Sequence, residues 1–138
     1  MTELAASYER LRTDYPNDFF LPFQWGAILC DRQQWSEAAE VMLPALALVP
    51  LHFEARKLPV LALCRTGRPD QAAEVLLGPD SPHGFFVADY ATEIMSLLER
   101  QGRRDQAAAL GRSLLEKAPR LPWRGRIEAV LSRMDTRP

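Results

Sequence analysis

An all-α fold built from stacked helix pairs is the prediction for this 138-residue chain, and three observations make it. Ala, Leu, Arg, Glu and Gln fill most segments while β-branched residues are sparse, which favours helix over strand. Sequence segments repeat at intervals of 34–35 residues. Glycine, small alanines and proline recur at fixed places within that interval, as punctuation of two helices and their turn requires.

The repeat is explicit. Arg65–Ala73 (RTGRPDQAA) and Arg100–Ala108 (RQGRRDQAA) agree at seven of nine positions at an offset of 35, and Glu37–Leu43 (EAAEVML) agrees with Gln71–Leu77 (QAAEVLL) at five of seven at an offset of 34. On the same ruler Leu29, Leu63 and Leu98 share one phase, and Gln33, Gly67 and Gly102 another. Pro16, Pro50 and Pro119 each close a helical pattern, with Gly84 standing where a further proline would fall.

Taken in order, residues 2–14 read as a lone helix with Leu4, Tyr8 and Leu11 on one face. Repeats follow at 19–52, 53–87 and 88–121. In each, a first helix must stop near Gln33, Gly67 or Gly102, because glycine accepts the left-handed backbone that ends helices. Ala38, Ala72 and Ala107 then lie in the first turns of the second helix, where a methyl lets two backbones approach. Residues 122–134 close the chain as an amphipathic helix with Ile127, Val130, Leu131 and Met134 on one stripe. Three features depart from the pattern. Gln33 replaces a glycine; Gly26 is the only glycine at the close-packing point where Val60 and Met95 stand in the other repeats; Pro44 lies inside a second helix, a place that costs ~3 kcal/mol. Segment 78–84 (GPDSPHG) shortens the second helix of repeat two and reads as an exposed connection.

These units resemble the tetratricopeptide repeat, over nearly the whole chain and most strongly in its middle. The resemblance implies a single domain: a right-handed α-α superhelix of about three helix pairs, with a cap helix in 1–18 and another in 122–138. It also implies function, since in that family first helices line a concave groove that holds an extended peptide or a helix. Carried over by repeat phase, the groove positions are Phe20, Phe23, Gln24 and Ala27; Glu54, Lys57, Leu58 and Leu61; and Asp89, Thr92, Glu93 and Ser96. Of these, Phe20, Phe23, Gln24, Lys57, Leu61, Asp89 and Glu93 are the expected partner contacts. Lys57 alone is basic and no asparagine is present among them, so a clamp for a C-terminal carboxylate is not expected. The groove reads aromatic at its N-terminal end and acidic at its C-terminal end. Within the aromatic cluster 15–25, Trp25 is expected to pack inside its own repeat and Tyr15 to cover the first cap.

Other chemistry finds little support. His52 and His83 are the only histidines and show no metal-ligand spacing with Cys30 or Cys64. The two cysteines occupy equivalent places in successive repeats, on helices ~8–10 Å apart, beyond the ~7 Å reach of a disulfide. They read as small buried residues. No phosphate-binding loop or nucleophile elbow occurs, so neither an enzyme nor a cofactor is expected. Residues 1–99 carry 7 Lys/Arg against 14 Asp/Glu, and residues 100–138 carry 10 against 4. The arginine-rich end lacks interleaved aromatics and the pI is about 6.1, so nucleic acid is not an expected partner. No run approaches the ~20 apolar residues of a membrane span, and no secretory leader is read at the start. A cytoplasmic adaptor or chaperone for a polypeptide is the expectation, with some similarity to the small repeat chaperones of bacterial type III secretion. The alternative is a structural subunit that self-associates, as in a homodimer, through its aromatic N-terminal surface.

Overall fold

The computed structural model describes residues 3–18, 20–48, 54–78 and 85–135. Among them are eight α-helices and no strand: α1 (Glu3–Asp14), α2 (Phe20–Asp31), α3 (Trp35–Leu46), α4 (Lys57–Arg65), α5 (Pro69–Leu77), α6 (Phe85–Arg100), α7 (Arg104–Lys117) and α8 (Arg124–Asp135). A short 3-10 turn, Glu54–Arg56, leads into α4. Helix α6 starts three residues before the boundary expected at 88, so the third pair occupies 85–117. Pro50, His52, His83 and Gly84 fall outside the described residues, as do residues 79–83 of the connection after α5 and Phe19 of the aromatic cluster.

The turns between α2 and α3, α4 and α5, and α6 and α7 are built alike. Gln33, Gly67 and Gly102 all hold positive φ, at 60°, 74° and 76°. The amides of Gln34, Arg68 and Arg103 donate to the carbonyls of Leu29, Leu63 and Leu98 at 2.8, 2.9 and 2.7 Å. Those of Gln33, Gly67 and Gly102 donate to Cys30, Cys64 and Glu99 at 2.9, 3.1 and 3.0 Å. This double closure satisfies carbonyls that a helix end leaves without partners. Three-residue turns of this kind reverse the chain and lay each pair antiparallel. Gln33 therefore performs the glycine's task at a steric cost.

Contacts follow two rules. Each helix packs on its successor within a pair, and α2, α4, α6 and α8 touch in series while α5 lies along α7. Helix α1 rests on α2. The core runs through these contacts: Leu29, Leu63 and Leu98 are buried with Ala38, Ala72 and Ala107. Where helices of a pair cross, side-chain sizes trade off. Gly26 faces Met42, and a Cβ at 26 would clash with the methionine's Cγ and Sδ. At the equivalent places Val60 and Leu76 are fully buried in the second pair. The third pair reverses the first: a Cβ on Gly111 would lie 2.8 Å from Met95 Cε. A large residue on one helix thus meets a glycine on the other, and interior density is kept.

Of the four prolines within the described helices, Pro22 and Pro69 fall in the first turns of α2 and α5, and the other two are accommodated as well. Pro59 sits in the first turn of α4, where no amide is required. Pro44 lies two residues before the end of α3, exposed like Glu40, whose carbonyl it deprives of a donor. Water can reach that side of the helix.

Candidate functional site

The expected contact residues fall on the helices that touch in series, α2, α4 and α6. On α2, Phe20 is 59% exposed, Gln24 is exposed, and Phe23 is half-buried against the core. Trp25 is half-buried and packs against the core. It stacks on Tyr8 of α1, with ring centres 5.4 Å apart and planes 15° from parallel, because α1 covers that side of α2. Tyr15, expected to cover the cap, is 60% exposed instead, since α1 ends one residue before it.

Lys57 leaves α4 toward α6, where its Nζ lies 3.0 Å from Glu93 Oε2 and 4.7 Å from the centre of the Tyr90 ring. Phe86 stacks on Tyr90 one turn earlier, with ring centres 6.3 Å apart. Asp89 pairs with Arg126 of α8, and that guanidinium also lies 5.0 Å from the Trp123 ring. The two carboxylates expected to offer negative charge to a partner thus face cations of the chain itself. Their half-exposed pairs are individually weak, worth ~0–1 kcal/mol, and a competing partner charge can displace them. Leu61 is 7% exposed and offers little contact area. Thr92 donates its hydroxyl to its own helix, to the Ala88 carbonyl at 2.9 Å.

The strip that results differs in character from a groove with an acidic end. Phe20 stands exposed on α2; Phe86, at 49% exposure, crowns α6; Trp123, at 57%, precedes α8. Beside Phe86 and Trp123 lie Tyr90 and two ion pairs that cancel charge. Phe86, Tyr90, Trp123 and Arg126 were not among the residues expected from sequence. Phe86 lies before the repeat start read at 88, and Trp123 sits in a positive-φ turn (63°) that no periodic pattern marks.

On the opposite row, α3 barely approaches α5, and a cleft of about 580 Å³ opens between them. Leu43, Leu46 and Val75 line it, with the buried Arg56 at its base. Burial lowers the pKa of that guanidinium from its ordinary value, and its Nη1 donates to the Leu76 carbonyl at 3.3 Å.

The two thiols are poor nucleophiles. Burial pushes Cys64 up to about 12, and burial together with the Asp31 charge pushes Cys30 up to about 11. Among the described residues no helix is long and apolar enough to cross a membrane. Comparisons with protein-family models, curated proteins and solved structures give no match to this chain.

Proposed function

We propose that this chain is a tetratricopeptide-like, right-handed superhelical scaffold, without enzymatic activity, that binds a helical or extended segment of another polypeptide along α2, α4 and α6. One observation carries the reading: three large aromatic side chains, Phe20, Phe86 and Trp123, stand roughly half exposed or more around a charge-cancelled strip. Aromatic anchors with satisfied charges around them are what protein interfaces use for most of their affinity. A cytoplasmic adaptor or chaperone of the kind that holds an aggregation-prone segment, as in bacterial secretion, is the form this function takes.

Peptides selected from a random library on the immobilised chain supply a ligand, and calorimetry then tests the site. Phe20→Ala is expected to weaken the selected peptide ~10-fold or more without changing the melting temperature. Unaltered affinity in both Phe20→Ala and Phe86→Ala places binding elsewhere and defeats the proposal.

A second reading has its own observation. Leu4 and Leu11 of α1 are 45% and 43% exposed beside Tyr15, an apolar face that a second copy would cover. Light scattering across concentrations separates the two: a dimer abolished by Leu11→Glu, with peptide affinity unaffected, assigns that face to self-association.

A further inference from the structure

At the turn end of the stack lies a cleft of about 590 Å³ that the strip above does not use. Half-buried Leu58 and the exposed edge of Leu61, both on α4, line it. Around them stand Asp31 at the end of α2, Trp35 at the start of α3, Arg65 at the end of α4, and Gln101 and Arg103 from the α6–α7 turn. The Arg65 guanidinium lies 4.6 Å from the centre of the Trp35 ring and donates to Gln101 Oε1 at 2.5 Å. Neither Arg65 nor Arg103 forms an ion pair among the described residues. Burial, and then the nearby charge of Arg103, lower the pKa of Arg65, as expected of cations that share a site. The indole N–H of Trp35 is buried with no acceptor among the described residues.

We propose that this cleft receives the carboxylate of an acidic side chain on the bound polypeptide, with an adjacent apolar residue resting on Leu58. Two guanidinium forks suit the planar, bidentate geometry of a carboxylate. Asp31 in the same wall leaves a lining charge of +1, from two arginines and one aspartate. A single carboxylate balances that charge, whereas a doubly charged phosphate meets Asp31 as a repulsive neighbour. Only the source of the carboxylate rests on the polypeptide-binding reading; the cleft's chemistry stands apart from it.

The test is an NMR titration of the full ¹⁵N-labelled chain, following the Trp35 indole signal, assigned with Trp35→Phe. The probes are N-acetyl-Leu-Glu-Leu-amide, its Leu-Gln-Leu counterpart and inorganic phosphate. The glutamate peptide should shift the signal saturably at roughly millimolar concentration, with the glutamine peptide at least ~10-fold weaker. Arg103→Gln, an exposed site, should abolish the shift; Arg65→Lys should weaken it while retaining charge; Asp31→Asn should strengthen it. Equal responses to both peptides, no response, or a stronger response to phosphate each overturn the proposal. Failure of the two readings is distinguishable. If library-selected peptides bind the aromatic strip and Arg103→Gln changes nothing, the cleft proposal fails alone. If the glutamate peptide binds the cleft while Phe20→Ala and Phe86→Ala leave selected peptides unaffected, the strip proposal fails alone.

Discussion

At position 33 a glutamine holds the left-handed backbone that glycine holds at 67 and 102, with the same two hydrogen bonds closing the turn. An L-residue there gives up ~1–2 kcal/mol relative to its preferred conformation. Gln33→Gly should therefore raise stability by ~1 kcal/mol in urea unfolding, after the entropy gained by the unfolded chain is subtracted. Gly67→Ala and Gly102→Ala should each lose a similar amount, although an added methyl meets nothing within 4 Å at either site. Destabilisation by Gln33→Gly would show that the side chain, and not the turn, matters. The cysteines are a second residue-scale case. With its thiol pushed up to about 12 by burial, Cys64 stays protonated at pH 8, so alkylation of the folded protein should be far slower than after denaturation. Position 33 was legible in the sequence through repeat phase alone; its chemistry as written argued against a turn glycine.

At the scale of the element, helix pairs keep their spacing by exchanging volume across the crossing point. Gly26 faces Met42 in the first pair, and Met95 faces Gly111 in the third. Only Gly26 was noticed in sequence as an exception, because Gly111 sits on the second helix, where no small residue recurs at that phase. Gly111→Val should overpack the third pair by ~1–3 kcal/mol. Combining it with Met95→Ala should recover a large part of that loss, a coupling that a double-mutant cycle measures directly. Additive losses would mean the two residues do not share one space. The alanines offer a phase test. Ala72→Leu and Ala107→Leu should each cost ~1–3 kcal/mol, both residues being fully buried, while half-buried Ala109→Leu should cost much less.

Over the whole molecule, helix existence, order and pairing were readable because a 34-residue ruler registers every turn. What escaped it was the placement of charge. The sequence shows a negative first part and a positive last part, and the structure folds them onto each other. Lys117 reaches Glu74 at 3.2 Å, Arg133 reaches Glu99 at 3.1 Å, and Arg126 meets Asp89. Side-chain pairing between repeats has no short-range sequence signal, so the groove appeared acidic when its carboxylates were already matched. Phe23, one of the expected partner contacts, is half-buried against the core. Its half-buried packing predicts that Phe23→Ala loses stability as well as contact area, and the exposed Phe20 becomes the cleaner probe. The claim that the row α2, α4, α6 carries the binding surface has one direct measurement. Backbone and indole NMR shifts of the labelled chain are recorded with a library-selected peptide bound. Perturbations should concentrate at Phe20, Gln24, Lys57, Tyr90, Glu93 and Trp123. Perturbations centred on Leu43, Leu46 and Val75, in the cleft between α3 and α5, would contradict it.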